Sequence, residues 1–159
     1  MKNYILILSF LINFSVFSQE MTVVKLGAII EKVGDNVESS NSRWNFIINK
    51  TPVISVADST YNRMRIISPI MKIEDLSEEL KTACLMANFH TALDIKYAIS
   101  DGVLWSVFIH PLKELSEKQI VEAISQVYYG NVNFGTSFSS TSLVFPGKSS
   151  VIEPQEKEK

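Results

Sequence analysis

Apolar residues are spaced along this chain in two distinct rhythms, and the alternation between them predicts the architecture. From Gln19 to Gly34, Val23, Leu26, Ile29, Ile30 and Val33 recur at three- and four-residue steps, which places them on one side of a helix closed by Gly34. Asp35 to Ser42 is polar and reads as a turn. Arg43–Asn49, Pro52–Ala57 and Tyr61–Ser68 are rich in β-branched and aromatic residues and read as three strands, with turns at Lys50-Thr51 and Asp58-Ser59 and a stop at Pro69. Asp75 or Ser77 can cap a second helix, Leu76 to Asn88, whose inward side carries Leu76, Leu80, Ala83, Cys84 and Ala87.

Ala92–Ile99 and Val103–Ile109 flank Asp101-Gly102, a strong hairpin signal, because both central residues of the tight turn require a positive φ. Ser116 with Gln119 forms a capping box that opens a third helix through Ile120, Ala123, Ile124, Val127 and Tyr128, and Gly130 is expected to end or fray it. The resulting order, α-β-β-β-α-β-β-α, lacks the βαβ alternation of a parallel sheet and predicts an α+β fold with helices flanking an antiparallel sheet. One strand stands out: Val103-Leu104-Trp105-Ser106-Val107-Phe108-Ile109 is apolar on both of its faces, so something must cover the second face as well as the first, whether helices of the same chain, a twin subunit or a bound peptide.

The first eighteen residues form a separate unit. Lys2 followed by an apolar run from Tyr4 to Phe17, roughly 14 residues, is too short to span a bilayer as a helix and matches the core of a secretory signal peptide, with cleavage expected after Ser18. The expected organisation is a signal peptide at 1–18, one α+β domain at 19–145, and a polar, proline-broken disordered tail at 146–159. The mature chain is then expected to keep no stable membrane anchor and to be secreted, in the periplasm of a bacterium. About 140 residues suffice to bury one core without covalent staples, and Cys84, the only cysteine, rules out an internal disulfide. The net charge is −2, one unit more negative without Lys2, and no basic patch interleaved with aromatics is visible, so nucleic acid is not an expected partner.

Candidate chemistry is sparse. His90 and His110, with Asp94 or Asp101 near them in sequence, suggest a small metal-dependent or hydrolytic enzyme using His90, His110 and Asp94, but no His-x-x-x-His or His/Cys cluster supplies a closed ligand set. A polar structural role fits His90 better. Cys84 falls among Leu80, Ala83 and Ala87 and reads as a buried, inert thiol. Ser137, Ser139, Ser140 and Ser142 read as a loop or a helix end, with no nucleophile elbow, and no phosphate-cradling glycine motif occurs, so neither a catalytic residue nor a cofactor or metal site is assigned. Trp44, Phe46, Trp105 and Phe108 are either core or a candidate partner or dimer surface. Trp44 and Phe46 share a parity on their strand, as Leu104 and Phe108 do on theirs, while Trp105 has the opposite one, so one face is internal and the other is free to meet a dimer mate or a peptide.

The segment Asn88-Phe89-His90-Thr91-Ala92-Leu93-Asp94, followed by Tyr97-Ala98-Ile99, Asp101-Gly102, Ile109-His110-Pro111 and the helix start Leu115-Ser116, resembles the YbjN family, which shares the fold of the type III secretion chaperones. The resemblance runs from about Gln19 to Phe145 and is clearest after Leu76. It implies a small, non-enzymatic and often dimeric protein that presents a sheet and helix surface to a protein or peptide partner, held as an extended segment in a groove or along a sheet edge. Those chaperones are cytoplasmic and acidic. The leader and the mild charge of this chain instead imply an extracytoplasmic binding module.

Overall fold

A computed structural model describes residues 20–143; the expected signal peptide and the tail at 146–159 lie outside the described residues. The elements are α1 (Val23–Val33), β1 (Asp35–Ser40), β2 (Arg43–Ile48), β3 (Thr51–Asp58), β4 (Arg63–Lys72), a 3-10 turn (Ile73–Asp75), α2 (Glu78–His90), β5 (Lys96–Ser100), β6 (Val103–His110) and α3 (Glu117–Val132). The six strands form one sheet, in the order β1-β2-β3-β4-β6-β5, and every neighbouring pair is antiparallel. This is the expected α+β fold with one strand added to the series.

The added strand is β1, where a turn was expected. Val37 is its one apolar residue, so no alternation marks it; it forms because β2 offers a free edge, and its pairing is interrupted by a register shift between Asp35 and Glu38. Tight hairpin turns with positive φ at both central residues join the strands: Asn41-Ser42, Asn49-Lys50 and Asp101-Gly102. The second lies one residue before the expected Lys50-Thr51. Strand β4 runs through Pro69 to Lys72, because an irregularity between Pro69 and Met71 absorbs the proline. The expected strand at Ala92 starts only at Lys96, since Ala92 and Ile95 are buried in a turn in which Leu93 has φ 50°.

The helices begin where their caps require. Thr22 accepts from Lys25 N–H, Ser77 from Leu80 N–H, and Ser116 with Gln119 completes the capping box of α3. Gly130 does not end α3. It lies inside the helix because the backbone there presses on the sheet: a Cβ at this position would stand 2.7 Å from Ser106 Oγ and 2.8 Å from Ile95 Cδ1. Gly34 closes α1 with an extended φ of −99°, and a Cβ there would meet Phe46 at 2.7 Å.

Helices α1 and α3 cover one face of the sheet. On that face Trp44, Phe46, Val53, Met64, Ile66, Leu104 and Phe108 pack with Leu26, Ile30, Ile120 and Val127 into a single core. Each fully buried side chain of this size contributes about 1.5–3 kcal/mol. Helix α2 packs against the β5 edge, burying Cys84 and Ala87. Among the described residues no helix is long and apolar enough to cross a membrane.

Candidate functional site

Alternation along the central strands sends a second set of side chains to the face opposite the helices. Strand registers align them in rows: Arg43, Val56, Arg65 and Ile109 in one, and Ile54, Ile67, Val107 and Lys96 in the next. Pro69 and Trp105 pair beyond these. Ile54, Val56, Ile67, Trp105 and Val107 are half-buried, and Ile109 is 58% exposed. The second apolar face expected of β6 is present, and among the described residues no helix lies over it, so the expected cover by helices of the same chain is not found there and the face is open among these residues. Trp105 is fixed on it by its indole N–H, which donates to the Ser100 carbonyl at 3.1 Å.

The four aromatic candidates therefore divide. Trp44, Phe46 and Phe108 face the helices and are sealed in the core, at 6%, 2% and 6% exposure, so a surface role does not fit them. A Cβ on Gly27 of α1 would meet the Trp44 ring at 3.2 Å, which shows how closely that helix closes over it. Trp105 alone of the four belongs to the open face.

A second apolar surface lies on the outer side of α2, where Leu85, Met86 and Phe89 are 71%, 59% and 78% exposed. No inward-facing pattern singles these residues out in the sequence. The β5 edge beside α2 is closed by one side chain: Asn88 accepts from Tyr97 N–H at 2.7 Å and donates to the Tyr97 carbonyl at 3.2 Å, taking the place of a neighbouring strand.

The residues of the enzymatic reading are brought together only in part. Asp94 and His110 line a cleft of about 350 Å³ between α3 and the β5–β6 hairpin, and His90 is not among its lining residues. His110 Nδ1 faces the Pro111 carbonyl at 2.8 Å; a carbonyl can only accept, so Nδ1 donates and Nε2 is left as an acceptor in the neutral ring. The ring also stacks on Phe108, centroids 5.9 Å apart. The Asp94 carboxylate accepts from Gln126 Nε2 at 2.9 Å, and Asp94 N–H donates to Gln126 Oε1 at 3.2 Å. Gln126, a buried polar residue on the apolar side of α3, is thus a structural anchor that the sequence pattern did not single out. Ser140 is buried beside it and donates to the Ala92 carbonyl at 2.7 Å. Among the described residues no group of three or more His, Cys, Asp or Glu side chains is placed to hold a metal ion.

Burial pushes the Cys84 thiol above its usual range, which keeps it protonated and unreactive. Burial likewise raises Tyr97, whose hydroxyl donates to the Gly130 carbonyl at 2.8 Å and so satisfies one of the orphan acceptors in the last turn of α3.

No protein-family model matches the chain, and no curated protein matches it. Among solved structures, it is similar to a chain from the structure of the HopA1-SchA chaperone-effector complex, with a TM-score of 0.54 and 12% identity over 69% of this chain and 88% of that one. At that identity the likeness concerns the fold: helices packed on one side of an antiparallel sheet, in a chain taken from a chaperone-effector assembly.

Proposed function

We propose that this chain is an extracytoplasmic, chaperone-like binding module for a protein or peptide partner, and that it makes and breaks no bond. The observation that carries the reading is the open face of the sheet. A folded domain of this size seldom leaves an aliphatic and tryptophan surface uncovered without a partner for it, and Ile54, Ile67, Trp105, Val107 and Ile109 form one continuous surface across three strands. Its work is exclusion of water from that face and from an apolar segment of the partner. The fold shared with a chain of a chaperone-effector complex supports a protein partner.

The same reading includes a homodimer. Leu85, Met86 and Phe89 on one helix face can meet their own copies about a twofold axis, which leaves the sheet face free. The leader-like segment at residues 1–18 supports secretion to the periplasm, and the sequence features after Leu76 support kinship with the YbjN family.

Affinity capture from an envelope extract tests the proposal, using the immobilised protein beside its Trp105→Ala, Ile109→Ser variant. One saturable partner retained by the first and lost by the second is the expected result. Equal retention by both moves the binding surface off the sheet face.

A further inference from the structure

The chain contains three arginines, and all three stand together at one end of the open sheet face. Arg43 on β2 and Arg65 on β4 are both in register with Val56 on β3, so they flank it at two strand spacings, about 10 Å apart. Arg63 is two residues from Arg65 on the same side of β4 and pairs in register with Asp58. With Tyr61, Ile67 and Ile109 they line a shallow groove of about 670 Å³.

These guanidinium groups are not consumed by the fold. Each of the ion pairs among the described residues uses a lysine. Among the described residues the Arg43 side chain reaches only the Asn45 side-chain oxygen and the Arg63 side chain only the Asn62 carbonyl, each at 3.3 Å, and the Arg65 guanidinium makes no hydrogen bond. The one carboxylate lining the groove, Asp58, already accepts from Tyr61 N–H at 3.0 Å. A local excess of positive charge on a chain of net charge −2 is therefore a placed feature and not a sample of a basic surface.

Resting on the protein-binding reading above, we infer that the sheet face takes an acidic polypeptide segment in which two carboxylates flank an apolar side chain. The apolar residue sits on Val56 between the arginines, and each carboxylate receives paired N–H donors from one planar guanidinium, which lysine could not supply with the same geometry. Continuation of the segment toward Ile67 and Trp105 meets an apolar floor. A nucleic acid would need a wider basic surface than three residues interrupted by Val56 and Ile109.

The test uses the purified protein and a fluorescein-labelled peptide repeating Glu-Ser-Leu-Ser, which puts Glu and Leu alternately on one side of an extended chain, with Gln and Lys counterparts as controls. Fluorescence anisotropy should show the Glu peptide binding about tenfold more tightly than the Gln peptide and weakening several-fold between low and physiological salt. The Arg43→Glu, Arg65→Glu double variant, checked for an unchanged melting temperature, should reverse the order and prefer the Lys peptide. Equal affinity for all three peptides, no binding of any, or an unreversed preference in the double variant would overturn the inference. So would a single-stranded oligonucleotide that binds as tightly through the same arginines. The two readings fail separately: capture of the natural partner that depends on Trp105 but not on Arg43 and Arg65 keeps the open-face function and removes the acidic segment.

Discussion

The two faces of this sheet are built from the same strands and nearly the same residue types, yet they have opposite fates. On the helix side Trp44, Phe46, Ile66 and Phe108 are 6% exposed or less; on the other, Trp105, Val107 and Ile67 are half-buried and Ile109 is mostly exposed. The difference lies in what is polar. Serines interrupt the inner face at Ser55, Ser68 and Ser106, where a helix presses close, while the outer face carries the arginines at its rim. Apolar content alone thus does not identify the core. The inner face is shaped for one permanent neighbour, and the outer face keeps apolar ground beside solvated charge, the composition of a surface that meets a partner.

Substitutions of one aromatic residue on each face should differ most in their cost. Phe46→Ala empties a fully enclosed site and should lower unfolding stability in urea by about 3–5 kcal/mol, whereas Trp105→Ala should cost about 1 kcal/mol or less. A comparable loss from both would mean that the outer face is packed too. Next in size, Gly130→Ala forces a methyl group into contact with Ser106 and Ile95 and should destabilise by about 1–3 kcal/mol; a neutral or stabilising result would show that α3 stands further from the sheet than described.

Tyr97→Phe should cost about 1–2 kcal/mol, because the Gly130 carbonyl loses its donor in a buried place. The hydroxyl also sets a pH dependence. Its pKa is raised in the folded state, so below pH ~10 both states are neutral and the group has no effect on the slope. Above that value the unfolded chain ionises first, and stability should fall by up to about 1.4 kcal/mol per pH unit. Removal of that part of the alkaline loss in the Tyr97→Phe protein is the expected outcome, read from denaturation curves at pH 9 and 11; identical slopes would contradict it. The smallest effect belongs to the cap of α3, where Ser116→Ala should cost about 1 kcal/mol.

The contrast between faces was legible in the sequence because parity along a strand is independent of context: Trp44 with Phe46 and Leu104 with Phe108 had to share a side, and Trp105 had to take the other. Which side was internal was not legible, since that depends on where α1 and α3 land. The capping box and the Asp101-Gly102 hairpin were readable because each carries its own local chemistry. Strand β1 was not, because a polar edge strand is held by backbone pairing and needs no alternation. The propensity of Gly130 alone points to an end or fraying of the helix, but the residue is kept by the close approach of Ile95 and Ser106, a tertiary fact. The arginine cluster was hidden for a similar reason, since Arg43 and Arg65 become neighbours only through the β2-β3-β4 register. Leu85, Met86 and Phe89 show the reverse, a helix whose exposed side is apolar.

If the open face, and not apolar exposure in general, receives a partner, a probe on that face should find it and an equally exposed probe elsewhere should not. Photo-cross-linking separates the two, with a benzoyl-phenylalanine placed in turn at Ile109 on the open face and at Val24 on α1, which is the more exposed of the two at 82% against 58%. One discrete cross-linked protein from position 109 in cells, and none from position 24, is the expected result. Products from position 24 alone, or the same products from both, would contradict it.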